Sequence, residues 1–242
     1  MTRLLVSVQN VAEALIAREA GADLIDIKNP RFGSLGAAVP EVVRAIYRAM
    51  DDWPLTMALG DLPLWPGTVA FAVTGALATV PRVGVKIGLQ GPYQKEAVDA
   101  VWQALATTDP ARVIPAVYLD HLRETRELVD LARLTAAHGF PGMVWDTFSK
   151  ETSWAAHLSE ADLRQATAYC HRLGLWVGLA GHLRLEHLPV AVKAGVDIVG
   201  VRSAVAQGGQ RSGSLDGERV WAFARELRRW DRPRPAEKVG RL

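Results

Sequence analysis

The sequence predicts a single TIM (β/α)8 barrel, an α/β fold in which eight parallel strands are each followed by a helix. Short runs rich in Val, Ile and Leu alternate along the chain with longer segments of helical period. We count about eight such pairs by this rule, and 242 residues is a natural length for this barrel. No GxGxxG pattern follows the first strand, which disfavours an open dinucleotide-binding sheet.

The predicted strands are short, and several are apolar on both faces, as parallel strands covered by helices are. In chain order they read LLVSV, DLIDIK, PLTMAL, VGVKIG, RVIPAV, GMVWDT, LWVGLA and DIVGVR, at residues 4–8, 23–28, 54–59, 83–88, 112–117, 142–147, 175–180 and 197–202.

Helical spacing is clear in the segments between these strands. In segment 40–50, apolar residues recur at helical spacing behind Pro40, which is tolerated in a first turn. Segments 95–105 and 160–174 repeat the pattern, and the second ends at Gly174, a C-cap position. We expect the barrel domain to span residues 1–230 and a basic, Pro/Arg-rich tail at 231–242 to be loosely ordered.

The composition is that of an ordinary globular protein, with 49% hydrophobic and 22% charged residues. A formal net charge of +2, without a clustered basic face, disfavours nucleic-acid binding. No segment has the roughly 18 unbroken apolar residues that would span a membrane, and the N-terminus lacks a signal-peptide core. Cys170 is the single cysteine, so we expect no internal disulfide and a cytoplasmic location.

The second predicted strand ends in an unusual way, because ADLIDIK passes from apolar residues to Asp26 and Lys28. Side chains alternate along a strand, so Asp26 and Lys28 share one face and Ile25 and Ile27 share the other. One interpretation is a lysine that leaves the sheet for solvent. The other is a reactive amine beside an acid.

Several other strand ends are polar, and in this fold active sites lie at the C-terminal ends of the strands. The fourth strand carries Lys86, and the sixth ends at Asp146 with Lys150 soon after. Asp61 and Asp120 also follow strands, but the sequence assigns them no role. Crowded ammonium groups lower the pKa of at least one amine, which favours imine formation with a carbonyl. The alternative is that Asp26 with Lys28, and Asp146 with Lys150, merely neutralise each other.

The loops after the last two strands are where such barrels commonly bind phosphate. GLAGHLR follows the seventh strand and VRSAVAQGGQR includes the end of the eighth. Glycines allow close approach of the backbone to an anion, and arginine supplies a forked positive charge. We therefore predict phosphate-binding roles for Gly181, His182, Arg202, Ser203, Gly208 and Gly209.

The six histidines show no metal-ligand spacing, so the sequence implies neither a metal nor a cofactor.

The assembled motifs resemble those of the (5-formylfuran-3-yl)methyl phosphate synthase family. The matching segments run from residue 4 to about 210 and include GADLIDIKNPRFGSLGA, GDLPLWPGT, VKIGL, GLAG, EHLP and DIVGVRSA, together with the DT and Lys150 of DTFSK. The long DxKNPxxGSLG pattern is the most specific of them. The loop SAVAQGGQR departs from the family, since it is less basic and lacks a cysteine found in some members.

The resemblance implies a class I aldolase-like TIM barrel that condenses two molecules of glyceraldehyde 3-phosphate into a phosphorylated furan aldehyde for methanofuran biosynthesis. Lys28 matches the Schiff-base lysine of the family, and Lys86 matches its proton acceptor. Asp26, Asp146 and Lys150 match other polar active-site positions. The expected substrate is a phosphorylated triose, and a homo-oligomer is compatible with the family.

Two other functions remain open from the sequence. The barrel and imine would also suit a simple aldolase or an isomerase of another sugar phosphate. A phosphometabolite-binding barrel without catalysis would use the same lysines only to hold anions, because one fold hosts many functions.

Overall fold

Eight parallel strands close into one barrel, in which each strand pairs with the next in the chain and the eighth pairs with the first. The computed structural model describes residues 1–91 and 93–230. The predicted fold class is therefore confirmed, while the predicted tail at 231–242 lies outside the described residues. The strands are β1 (Arg3–Val8), β2 (Leu24–Ile27), β3 (Leu55–Pro63), β4 (Gly84–Gln90), β5 (Val113–Tyr118), β6 (Gly142–Asp146), β7 (Trp176–Leu179) and β8 (Ile198–Val201).

The helices alternate with the strands, and their apolar faces pack on the outside of the barrel to form the main core. No helix in the described ranges combines the length and the apolar character needed to cross a bilayer. The helices are α1 (Val11–Glu19), α2 (Pro40–Met50), α3 (Pro66–Thr79), α4 (Lys95–Ala106), α5 (Arg126–Ala137), α6 (Glu160–Arg172), α7 (Leu188–Ala194) and α8 (Gly217–Trp230).

Local sequence accounts for the helix boundaries. Pro40 opens α2, where its missing N–H removes no helical hydrogen bond. Ser159 caps α6, since its side chain accepts a hydrogen bond from the N–H of Asp162. Gly174, just beyond α6, adopts a φ of 79°, a left-handed conformation that favours glycine.

The third strand is longer than predicted, because it continues from Leu59 to Pro63 after an irregularity. Gly60 adopts a φ of 121° there. The pairing with β4 resumes at Asp61, which lies opposite Gly88. Such irregularities re-aim side chains near active sites, and this one displaces Asp61 relative to a regular strand.

The barrel interior is apolar at the N-terminal end of the strands and polar at the C-terminal end. At the N-terminal end, Trp176 packs with Leu5, Leu24 and Ile198. A Cβ on Gly142 would lie 2.3 Å from the Trp176 ring, so glycine makes room for the indole. This plug closes one end and leaves the opposite end for the polar residues.

Candidate active site

The polar residues predicted at the strand ends lie together at the C-terminal mouth of the barrel. A cleft opens there, lined by residues from several strands and the loops that follow them, and it has an empty volume of about 660 Å³ including its mouth. We call it the central cleft; its lining includes Lys28, Lys86, Asp146, Lys150, Gly181, His182, Ser203 and Arg211.

Asp26 lies beneath the central cleft and is fully buried. Its carboxylate is 2.8 Å from the Nζ of Lys86 and accepts hydrogen bonds from the hydroxyls of Ser7 and Thr56. Burial on its own would raise the pKa of Asp26, but the charges of Lys86 and Lys28, together with the hydrogen bonds from Lys86 and Thr56, hold it below its ordinary value. Asp26 is therefore an anion with a fixed orientation.

The sequence suggested Lys28 as the neutralising partner of Asp26, and the structure gives this place to Lys86. Residues two apart on one strand are about 6.6 Å apart, so their side chains run parallel. Lys86 instead approaches from β4 across the barrel interior. Lys28 has no carboxylate within ion-pair distance in the described part of the chain.

Lys28 is buried, with only 7% of the residue exposed, although it lines the central cleft. Burial lowers its pKa to about 7, Asp26 and Asp146 partly oppose that shift, and Lys86 and Lys150 add to it. A substantial fraction of this lysine is thus an uncharged amine at neutral pH. Such an amine can attack an aldehyde or a ketone.

Asp146 and Lys150 form the second ion pair of the cleft, with 2.7 Å between Nζ and Oδ1. Burial would raise the pKa of Asp146, but Lys150 and Lys28 lower it below its ordinary value. Lys150 also donates to the carbonyl of Thr147. The pair predicted from the DTFSK motif therefore exists, and it faces the same cleft as Lys28.

Asp120 fixes the turn that carries Lys150. Its two carboxylate oxygens accept hydrogen bonds from the N–H groups of Phe148 and Ser149, each at 2.7 Å. The sequence placed Asp120 after a strand without a role, and its contacts are those of a residue that positions the β6 loop, residues 147–150.

Asp61 plays the corresponding part for the loop after Lys28. Its carboxylate accepts hydrogen bonds from the N–H groups of Ser34 and Leu35, at 2.8 and 3.2 Å, and from the hydroxyl of Tyr118. Gly33 adopts a φ of 114°, and a Cβ there would lie 2.2 Å from Asp61. These contacts account for the glycine at position 33 in the motif NPRFGSLG that follows the lysine.

The loop after Lys28, residues 29–36, is closed on itself. The N–H of Asn29 donates to the carbonyl of Gly36 at 2.8 Å, and a Cβ on Gly36 would lie 2.1 Å from the carbonyl oxygen of Asn29. The Ser34 hydroxyl donates to the carbonyl of Thr147, which ties this loop to β6. We call residues 29–36 the β2 loop.

The predicted phosphate-binding residues divide into two groups. Gly181, His182, Arg202 and Ser203 line the central cleft. Gly208 and Gly209 lie outside its lining, and Gly209 borders a neighbouring pocket that also contacts His182 and has an empty volume of about 700 Å³ including its mouth.

Arg202 lines the cleft, but its guanidinium is already bound by the protein. It forms a buried ion pair with Glu13 at 2.7 Å and donates to the carbonyls of Ser7, Arg211 and Gly213. The sequence predicted that Arg202, after β8, would be available to an anion. The residue that pairs with it, Glu13, lies in α1, and no sequence motif marks Glu13 as its partner.

The residue that the sequence reasoning missed is Arg211. It lines the central cleft and donates from Nη2 to the carbonyls of Gly33 and Ser34, at 3.0 and 3.1 Å. The signal was present in the sequence, because Arg211 ends the same VRSAVAQGGQR segment from which Arg202 was chosen.

Solved structures of other proteins share this fold at low sequence identity. Phosphoribosyl anthranilate isomerase from Thermus thermophilus has a TM-score of 0.64 and 17% identity, covering 94% of this chain and 99% of that one. KGPDC from Streptococcus mutans has a TM-score of 0.62 and 14% identity, covering 94% and 98%. At these identities the likeness supports the barrel fold alone.

Sequence relatives are much more similar. (5-Formylfuran-3-yl)methyl phosphate synthase of Methanopyrus kandleri is 38% identical, covering 87% of this chain and 92% of the relative. The synthase of Methanosarcina barkeri is 34% identical, covering 90% and 96%. The family model described as 4-HFC-P synthase matches residues 4–224. The chain belongs to the 4-HFC-P synthase family.

Proposed function

We propose that this protein is a (5-formylfuran-3-yl)methyl phosphate synthase of methanofuran biosynthesis. It would condense two molecules of glyceraldehyde 3-phosphate through an imine on Lys28, with loss of phosphate and water. The observation that carries the proposal is the state of Lys28. This lysine is buried, has a pKa of about 7 and has no carboxylate partner in the described chain. It lies in the same cleft as Lys86 and Lys150.

The first step uses the uncharged amine of Lys28. Its nitrogen bonds to the aldehyde carbon of the triose, the carbonyl oxygen leaves as water, and the positively charged imine makes the neighbouring C–H acidic. We assign Lys86 as the acceptor of that proton, once the ammonium of Lys86 has passed its own proton to the Asp26 carboxylate, 2.8 Å away. Asp26 is thus our assignment for the group that holds Lys86 and relays protons.

The later steps are loss of phosphate, carbon–carbon bond formation, ring closure and dehydration. Each moves a proton or expels an oxygen leaving group, and Asp146 with Lys150 is our assignment for these transfers. The final loss of water gives an aromatic ring, which makes the overall reaction effectively one-way.

The phosphate groups would enter a positively charged cleft. Gly181, His182 and Ser203, from the loops after β7 and β8, occupy the position where barrels of this class commonly bind phosphate. Gly181 adopts a φ of 86°, so the chain turns there in a conformation that favours glycine.

The test combines product formation with covalent trapping. Purified protein is incubated with glyceraldehyde 3-phosphate, the furan aldehyde is followed by its ultraviolet absorbance, and borohydride-reduced adducts are mapped by mass spectrometry. We expect furan product and an adduct on Lys28, both lost in Lys28→Arg. Lys95→Arg is the matched control, because Lys95 lies exposed at the start of α4.

Other results would identify the other candidate functions. An adduct on Lys28 without a furan would indicate a simpler aldolase or an isomerase. Neither adduct nor furan would leave a binding protein that only holds phosphorylated metabolites.

We also propose a homo-oligomer and a cytoplasmic location. Helix α3 has no charged residue and exposes Phe71, and Trp65 is exposed just before it. Association with a second copy would cover these side chains. Light scattering of wild type and Phe71→Glu tests this, and a monomeric wild type would contradict it.

The proposed cytoplasmic location is supported by the single, buried Cys170, and cell fractionation checks it.

A further inference from the structure

Arg211 reaches the central cleft from the loop after β8. Its own backbone is fixed, because the Nε of the buried Arg202 donates to the Arg211 carbonyl at 2.8 Å. Its side chain is fixed by the two hydrogen bonds to Gly33 and Ser34 of the β2 loop. The guanidinium is therefore held in place before any ligand arrives.

Within the described residues, most N–H donors of this guanidinium have no hydrogen-bond partner. Arginine has five N–H donors on Nε, Nη1 and Nη2. Within the described residues, the hydrogen bonds of Arg211 come from Nη2 alone. Arg202 differs, since its Nε, Nη1 and Nη2 all donate to protein oxygens.

Ion pairing divides the lysine and arginine residues of the cleft into two sets. Lys86 pairs with Asp26, Lys150 with Asp146 and Arg202 with Glu13. Two basic residues of the lining remain, Lys28 and Arg211. For both of them, the described chain supplies no carboxylate within ion-pair distance.

Lys28 and Arg211 have different chemistry. The amine of Lys28 has a lowered pKa and suits a carbonyl carbon. A guanidinium stays charged at neutral pH, is a poor nucleophile and matches the geometry of a phosphate with two parallel hydrogen bonds. Arg211 is thus suited to an anion and not to the covalent step.

The proposed reaction needs places for two phosphates, because each triose carries one. The loops after β7 and β8 supply one place through Gly181, His182 and Ser203. We propose that Arg211 forms the second phosphate subsite and binds the phosphate of the other triose. This inference rests on the proposed function for the identity of the ligand, but the subsite itself can be tested without turnover.

The direct test measures binding of inorganic phosphate by equilibrium dialysis at low ionic strength. Wild type is expected to bind two phosphates per chain and Arg211→Gln one. Arg82→Gln is the matched control, since Arg82 pairs with Asp52 on the surface, outside the cleft lining. This variant is expected to bind two phosphates, as the wild type does. Two phosphates bound by Arg211→Gln, or only one by wild type, would overturn the subsite.

A kinetic test separates binding from a purely structural role. Loss of a charge-assisted phosphate contact is expected to raise the half-saturating concentration of glyceraldehyde 3-phosphate about 10- to 100-fold. If Arg211 only held the β2 loop, its loss would lower the turnover number and the melting temperature, with phosphate stoichiometry unchanged. That second pattern contradicts the proposal.

The conservative variant keeps the test decisive if Arg211→Gln does not fold. Arg211→Lys retains the charge and loses the fork, so it is expected to bind two phosphates, one of them more weakly than in wild type. Unchanged affinity at both subsites would overturn the proposal. Absence of furan from wild type that binds two phosphates would instead overturn only the proposed reaction.

Discussion

The carboxylate of Asp26 lies 2.8 Å from the ammonium nitrogen of Lys86, and neither side chain is more than 5% exposed. The two residues come from β2 and β4, so the contact crosses the barrel interior. Two charges taken out of water cost several kcal/mol each, and attraction between them offsets this only when the pair is intact. Removal of one partner therefore leaves the other charge buried and uncompensated, which lowers the free energy of unfolding.

Asp26→Asn is expected to lower the free energy of unfolding by about 3–5 kcal/mol, the usual cost of leaving one charge of a buried pair alone. Urea titration of wild type and variant measures the change. Asp52→Asn is the matched control, because Asp52 pairs with Arg82 on the surface, and water already solvates both groups. A loss from Asp26→Asn no larger than that from Asp52→Asn would show that the buried pair does not stabilise the fold.

The pH dependence of imine formation follows from the pKa of Lys28, which burial lowers to about 7. Only the uncharged amine reacts, so the rate of reductive trapping is expected to rise about tenfold per pH unit below this pKa and to level off above it. Adducts formed with glyceraldehyde 3-phosphate and cyanoborohydride, over about pH 5 to 9, give the profile.

Asp146 supplies a directional check on that profile. Its charge raises the pKa of Lys28, so Asp146→Asn is expected to shift the rising limb to lower pH. Asp130→Asn, which removes an acid from an exposed pair with Arg133, is expected to leave the limb in place. A shift to higher pH in Asp146→Asn would contradict the assignment of Lys28 as the titrating group.

The fold was predictable because its signals are local. A strand such as β2 is encoded by neighbouring apolar residues, and its end by the change to charge and proline. The presence of charged residues at the mouth follows from the fold, since parallel strands bring their C-terminal ends together. Asp26, Lys28 and Lys86 could therefore be selected from the sequence alone.

The partners of these residues were not predictable, because they depend on closure of the barrel. Arg202 and Glu13 are 189 positions apart in the chain, and the pattern of α1 gives no sign that Glu13 is buried. Asp61 reaches the β2 loop only through the irregularity in β3, which the apolar pattern does not encode. Long-range pairing decided which cations remain available to a ligand.

Asp61 and Asp120 are expected to control different loops. Asp61→Asn puts an amide group where the carboxylate accepts from Ser34, Leu35 and Tyr118, so at least one of these donors loses its acceptor. Hydrogen exchange followed by mass spectrometry should therefore be faster in the β2 loop, with turnover reduced because this loop follows Lys28 directly.

Asp120→Asn is the matched comparison, since Asp120 accepts from the N–H groups of Phe148 and Ser149. In Asp120→Asn, faster hydrogen exchange is expected in the β6 loop and not in the β2 loop. Equal exchange changes in both loops for both variants would mean that the carboxylates support the mouth as a whole. That result would contradict separate positioning roles.

Lys28→Met is expected to abolish imine formation and to stabilise the folded protein at neutral pH. Burial lowers the pKa of Lys28 from 10.5 to about 7 in the folded state, so between these values the unfolded chain binds a proton that the folded chain does not. Stability of wild type therefore rises with pH from about 7 to 10.5 as this difference acts, and below about pH 7 the full cost of the buried charge is present.

Methionine has similar length and no charge, so it removes this cost, which is on the order of a few kcal/mol at neutral pH. Urea titrations at about pH 7 and pH 10 should show a stabilising effect of Lys28→Met that shrinks at the higher pH, because the unfolded wild type then loses its advantage in binding a proton. Lys95→Met, at an exposed position, should show no such pH-dependent gain. A destabilised Lys28→Met at both pH values would mean that the amine contributes to the fold, and that its position there is not a cost accepted for reactivity.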